Sequence, residues 1–145
     1  IATGKPTVLA NPYERVVKNM EHEARATLAR RYASVDEARE AHSFGVIIGL
    51  KPGQMRPRLA LRAYELLRGA GKEALLLAAD EIRPDYLADF GEVEAFVNTA
   101  CPRLSLDDAG AFGKPFITYP ELEVALGLIR WDELCEKGWF AVPGW

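Results

Sequence analysis

Only two cysteines, Cys101 and Cys135, occur in the 145 residues. That is too few for a disulfide framework, and a reducing, cytoplasmic setting is the simpler expectation. Histidine is equally scarce, and His22 and His42 both stand among charged residues with no catalytic role to suggest. A cysteine without a neighbouring His or second Cys cannot assemble a zinc site, an iron–sulfur cluster or a nucleophile–base pair within this chain. A cysteine hydrolase is disfavoured on that ground. No apolar run approaches the roughly eighteen residues needed to span a bilayer, and no signal peptide is evident, so no membrane role is expected. No basic stripe is present either: 18 Lys and Arg are mixed with 21 Asp and Glu, for a net charge of −3. Nucleic acid is therefore not an expected partner. Neither a Walker A loop nor GxGxxG occurs, which leaves nucleotide binding by a standard loop unsupported. There is no repeat and no low-complexity segment. The first residue is Ile1 rather than Met, which suggests a piece of a longer protein.

What is present is a soluble globular composition, 49% apolar and 27% charged, with length enough for one real core. Thr7 to Ala10 reads as a short strand. Asn11-Pro12-Tyr13-Glu14 reads as a helix start, with Asn as cap and Pro at the first position. Val16, Met20, Ala24, Leu28, Val35 and Ala38 follow at helical spacing, predicting a long amphipathic helix to about His42. Ser34-Val35-Asp36-Glu37 could be a second capping box that breaks it in two, and the sequence alone does not decide between one helix and two. Phe44 to Leu50 is a continuous apolar run, as expected for a strand covered on both faces. Pro57 opens a helix that ends at Gly69 to Gly71. Glu73 to Ala79 is short and bounded by Gly71 and Pro84, which favours a buried strand over a helix. Pro84 starts a short helix ending near Phe90-Gly91. Ala95 to Ala100 is a β-prone run, followed by a loop from Pro102 to Pro115. Phe116 to Tyr119 forms the next strand, and Pro120 opens a helix to about Gly127. Strands and helices alternate without a hairpin signal. The expectation is an α/β fold: a single three-layer domain over residues 1–127, Rossmann-like or flavodoxin-like, with a mainly parallel sheet of four or five strands. Residues 128–145 are an aromatic tail holding Trp131, Trp139 and Trp145. It either folds over its own core or docks another domain or subunit.

In such a sheet the loops after the strands share one rim, where ligands bind. That rim should gather Lys51 to Gln54, Asp80 to Arg83, Cys101 to Arg103, and Tyr119 to Glu121. Pro102 excludes Cys101 from helical backbone, so Cys101 should be extended where its strand leaves the sheet. A thiol there is a potential metal ligand or nucleophile; the alternative is a small buried hydrophobe. Lys51 and Gln54 belong to Gly49-Leu50-Lys51-Pro52-Gly53-Gln54, which either offers N–H groups and an ammonium to an anion or is a plain strand-to-helix turn. Glu121 and Glu123 fall in the first turn of a helix, where acids also serve as caps. Cys135 looks like an ordinary helix position.

Ala100-Cys101-Pro102-Arg103-Leu104-Ser105-Leu106-Asp107, with Lys114-Pro115-Phe116 and Pro120-Glu121-Leu122-Glu123-Val124-Ala125-Leu126 behind it, resembles the diphthamide-synthesis enzymes. These are the archaeal 2-(3-amino-3-carboxypropyl)histidine synthases and their eukaryotic relatives. Gly45-Val46-Ile47-Ile48-Gly49 before Lys51-Pro52-Gly53-Gln54, and Glu81-Ile82 with Pro84 and Leu87, fit the same pattern. The likeness runs from about Phe44 to Gly127. Val97-Asn98-Thr99 and Asp107-Asp108 look closer to the archaeal form. The resemblance implies three similar α/β domains, each giving one cysteine to a 4Fe–4S cluster, with this chain similar to the third. Cys101 would then be one of three cluster ligands, and the other two would lie upstream. The implied chemistry is noncanonical radical cleavage of S-adenosylmethionine. It transfers a 3-amino-3-carboxypropyl group to a histidine of translation elongation factor 2, in a homodimeric enzyme. Lys51, Gln54, Arg103 and Glu121 would face cofactor or substrate. The competing class is an isolated α/β ligand-binding or interaction module without catalysis.

Overall fold

The computed structural model describes residues 5–107 and 109–139. Four strands form a parallel sheet: β3 (Ser43–Gly49), β4 (Glu73–Ala79), β5 (Ala95–Asn98) and β6 (Phe116–Thr118), in the order β4-β3-β5-β6. The pairing is in register from Ser43↔Glu73 through Phe44↔Ala95 to Phe96↔Phe116. The sheet is parallel because every strand returns through a crossover: α2 (Pro57–Gly69), α3 (Pro84–Ala88) and α4 (Pro102–Asp107).

Alternation along the strands sends side chains to two cores. Phe44, Val46, Ala95, Val97 and Ile117 point to one face, under α1 (Glu21–Glu40), α2, α5 (Tyr119–Ala125) and α6 (Trp131–Lys137). Ile47, Phe96 and Phe116 point to the other, against Leu87 of α3, Val93 and Phe112. The result is the expected three-layer α/β arrangement with a four-stranded parallel sheet. Gly45 stands on the second face because an added Cβ would come within 2.7 Å of the Phe96 ring. Strand order reverses between β3 and β5, which is the switch point where such sheets open a crevice.

Three sequence expectations are corrected. Asn11 does not start a helix: β1 (Val8–Asn11) and β2 (Val16–Asn19) form an antiparallel hairpin, and α1 begins only at Glu21. Asn11 Oδ1 does accept from the N–H groups of Tyr13 (3.0 Å) and Glu14 (3.4 Å), but the bonds close a turn. Arg15, with φ of 52°, completes the reversal. Asn19 Oδ1 instead meets the N–H of Glu21 at 2.9 Å, at the actual helix entry. Second, Glu73 to Ala79 is a strand but not a buried one, because β4 is the edge of the sheet and leaves Leu75 and Leu76 exposed; α1 itself runs unbroken through Ser34-Val35-Asp36-Glu37, the alternative the sequence left open. Third, Pro102 to Pro115 is not a plain loop; it holds α4 and a 3-10 turn at Ala109–Ala111.

Of the segment after Leu128, the described residues 129–139 pack on this same domain. Leu134 and Trp139 join the first core, and Trp131 meets the Tyr32 ring at 4.1 Å and Trp139 edge-on at 5.2 Å. Trp145 lies outside the described residues. Among the described residues no helix is long and apolar enough to cross a membrane.

Candidate functional site

Three of the four loops expected on the rim converge on one cleft of about 450 Å³. The loop after β3 contributes Lys51 and Gln54, the loop after β4 contributes Asp80 to Arg83, and the start of α4 contributes Cys101, Arg103 and Leu104. A larger hollow, about 630 Å³, lies between α2 and α5. It is lined by Leu66, Tyr119 and Leu126 with Arg62 and Glu65 and holds no thiol, so the chemistry concentrates in the smaller cleft.

Glycine sets the close approach of β3 to the Cys101 loop. An added Cβ on Gly49 would sit 2.7 Å from the Cβ of Ala100, closer than real carbons approach. Gly53, at φ of 79°, supplies the left-handed residue of the turn in which Gln54 N–H bonds the Lys51 carbonyl at 3.0 Å. That turn aims Lys51 across the cleft, where its ammonium stands 3.8 Å from Glu81 Oε1. Arg83 is held more tightly. Its guanidinium donates twice to Asp85 (3.2 and 2.8 Å) and lies over the Tyr86 ring at 4.9 Å. The hydrogen bond from Arg83 draws the Asp85 carboxyl below its ordinary range.

Cys101 is partly buried at the cleft edge, immediately before α4. Regular strand ends at Asn98, so Cys101 sits three residues past the pairing rather than at its last rung. Its neighbours are pinned. Thr99 Oγ1 donates to the Ile47 carbonyl at 2.7 Å, and Arg56 Nη1 donates to the Ala100 carbonyl at 2.5 Å. Asn98 Nδ2 donates to the Cys101 carbonyl at 2.7 Å. Sequence reading did not single out Arg56 or Asn98 as supports. Arg56 gave no signal, whereas an Asn ending a strand two residues before a turn is a recognisable Asx pattern.

Glu121 is the misplaced candidate. It was expected on the rim but has no exposed surface and does not line the cleft. Arg31, equally buried, donates through Nε to Oε1 (2.7 Å) and through Nη2 to Oε2 (2.5 Å). Thr118 N–H and Oγ1 donate to Oε2 at 2.7 and 2.9 Å, and Trp139 Nε1 donates to Oε1 at 3.0 Å. With every lone pair engaged, Glu121 is a cap and a buried ion-pair partner. The capping alternative was the correct one, and the loop after β6 closes on itself instead of opening to the cleft.

Cys135 is exposed on α6, remote from the cleft lining. Partial desolvation, then the Asp132 charge, push its thiol above the ordinary value. Among the described residues no group of three His, Cys, Asp or Glu is gathered to hold a metal ion. Cys101 is therefore one potential metal ligand and not a complete site among the described residues.

Comparison with known proteins identifies the pattern. The sequence profile of the diphthamide synthesis proteins matches residues 1–135. The chain is 38% identical over 128 residues to the 2-(3-amino-3-carboxypropyl)histidine synthase of Pyrococcus horikoshii, covering 88% of this chain and 36% of that protein. It is 34% identical over 128 residues to subunit 1 of the human synthase, covering 88% of this chain and 29% of that one. A crystal structure of Dph2 from Pyrococcus horikoshii with a 4Fe-4S cluster superposes with a TM-score of 0.81 at 37% identity, covering 89% of this chain and 37% of that chain. The chain thus spans about a third of the length of the curated relatives it matches. With the family profile matched over residues 1–135 and the fold shared at a TM-score of 0.81, the chain belongs to the diphthamide synthesis family.

Proposed function

We propose that this chain is the third domain of a diphthamide-synthesis enzyme and that Cys101 supplies one of three thiolate ligands to a 4Fe–4S cluster. The observation that supports this reading is the convergence of three rim loops on a cleft holding one partly buried thiol, Cys101. A lone thiol at an open edge suits a cluster completed by cysteines from outside this chain. Bound there, a reduced cluster would supply the electron for noncanonical radical cleavage of S-adenosylmethionine. The chain's own part is positioning. Arg56 and Asn98 hold the backbone on either side of the thiol. Lys51 and Gln54 face the cleft as donors for the carboxylate of the methionine moiety, a charge-assisted contact. Arg103 adds a third cation to a wall that already holds Lys51 and Arg83, and Ile82 and Leu104 shed water from it. The group transferred is 3-amino-3-carboxypropyl, and the acceptor is a histidine of translation elongation factor 2. The full-length enzyme acts as a homodimer in a reducing cytoplasm, where a cysteine-held cluster persists.

The test uses the full-length protein. Cys101→Ala should strip or cripple the cluster and abolish transfer, while Cys135→Ala should leave iron content, brown absorbance and product formation intact. Full iron and full activity in Cys101→Ala would overturn the assignment. The 145-residue chain alone, with one ligand of three, should stay colourless after anaerobic iron–sulfide reconstitution. A stable 4Fe–4S spectrum from its monomer would instead mean that the ligands are misplaced.

A further inference from the structure

Asn98 is the last residue of β5 and has no exposed surface. A buried carboxamide must find partners for its oxygen and both N–H bonds, and its geometry decides which segments it ties together. Here Oδ1 accepts from Ala100 N–H at 2.9 Å, and Nδ2 donates to the Cys101 carbonyl at 2.7 Å and to Ser105 Oγ at 3.0 Å. One rigid planar group therefore holds the peptide before Ala100, the peptide after Cys101, and the first turn of α4. Ser105 is anchored from behind, because Arg31 Nη1 donates to its carbonyl at 2.7 Å. On the other side, Arg56 fixes the Ala100 carbonyl. The short links between Asn98 and residues 100–105 do little to join distant parts of the sheet. Their effect is local: they set the backbone on which the thiol stands.

We propose that Asn98 is a positioning residue for Cys101, fixing the direction in which the thiol leaves the β5–α4 turn, with Arg31 acting as its buttress through Ser105. The proposal rests on the reading of Cys101 as a cluster ligand, since only a shared ligand needs its direction fixed. A thiolate that must meet ligands from elsewhere gains from arriving already oriented, because each degree of freedom left in the turn would have to be lost on assembly.

The experiment reads the thiol directly, without a cluster. In the 145-residue chain carrying Cys135→Ala, Cys101 is the sole thiol, and its rate of alkylation by N-ethylmaleimide is measured beside the melting temperature. Asn98→Ala should raise the rate roughly fivefold, the change expected when about one hydrogen bond no longer holds the turn. Asn98→Asp keeps the shape and the acceptor but turns an oxygen towards the Cys101 carbonyl; it should also raise the rate, and it decides the matter if the alanine variant does not fold. Ser43→Ala serves as control. It removes the bond from Ser43 Oγ to the Glu92 carbonyl at the opposite end of β3, so it should lower the melting temperature and leave the rate unchanged. An unchanged rate in the Asn98 variants, or rates that merely follow melting temperature across all variants, would overturn the proposal. In the full-length protein, Asn98→Ala should retain less iron per chain than Ser43→Ala after desalting. If Cys101→Ala in the full-length protein keeps its iron, the cluster reading fails, whatever the alkylation rates show about the turn.

Discussion

The loops after β5 and β6 leave the same edge of one sheet, from neighbouring strands, and both carry charged or reactive groups. Their fates differ. Behind β6, Glu121 and Arg31 are sealed from water with each charge met by several partners. Across the cleft from the loop after β5, Lys51 of the loop after β3 and Glu81 of the loop after β4 stand 3.8 Å apart with more than half of each side chain exposed. A saturated, dry cluster has nothing left to offer a ligand. A loosely paired, wet one can exchange its partner at little cost. The contrast separates structure from site better than residue type does, since each place pairs an acid with a base.

The largest effect should come from breaking the closed cluster. Arg31→Met keeps most of the volume but leaves the Glu121 carboxylate buried without its counter-charge, a loss of ~3–5 kcal/mol. Glu121→Leu should cost a similar amount, because it strands Arg31 and also removes the acceptor of Trp139 Nε1. The double variant should cost clearly less than the sum, since neither charge is then left alone. Urea unfolding of the two single variants and the double variant measures the coupling. Single losses under ~1 kcal/mol would mean that the pair is not the keystone its burial indicates.

The next effect lies where the two regions share backbone. Gly49→Ala forces a carbon against Ala100, and neither β3 nor the Thr99-clamped turn can yield easily. A loss of ~1–3 kcal/mol is expected from overpacking. The same shift should displace Cys101, so iron retention in the full-length protein should fall as well. A variant that loses neither stability nor iron would show that the approach has slack.

The two regions were also unequally legible in the sequence. Phe44 to Gly49 and Glu73 to Ala79 announced themselves as strands through their apolar runs, but only the first is buried; β4 lies at the sheet edge with Leu75 and Leu76 exposed. The strand-end loops followed from topology, which is why Lys51, Gln54, Arg103 and Cys101 could be placed on the cleft in advance. Arg31 could not. It sits beside Arg30 in a helix rich in charge, and its partner Glu121 is 90 residues away. No local pattern separates an arginine facing water from one facing a buried carboxylate. The hairpin failed for another reason. Asn11 makes the hydrogen bonds of a helix cap, and the same bonds serve a turn; only pairing with Val16 to Asn19 decides between them. Such tertiary choices are invisible to spacing.

The smallest effect on stability should come from the open cleft, and that is its signature. An exposed pair at 3.8 Å contributes ~0–1 kcal/mol, so Lys51→Ala should change the unfolding free energy by no more than about 0.5 kcal/mol. Function should respond far more. A hydrogen bond to a charged group is worth ~1.5–3 kcal/mol, so the full-length Lys51→Ala protein should bind S-adenosylmethionine roughly tenfold more weakly or worse, with its iron unchanged. Glu81→Ala gives the opposite arm. It frees the ammonium from its loose partner, and substrate affinity should hold or rise. Calorimetric titration of both variants beside the parent reads the difference. Equal affinity in all three would make Lys51-Pro52-Gly53-Gln54 a plain strand-to-helix turn, and would leave the cleft defined by Cys101 alone.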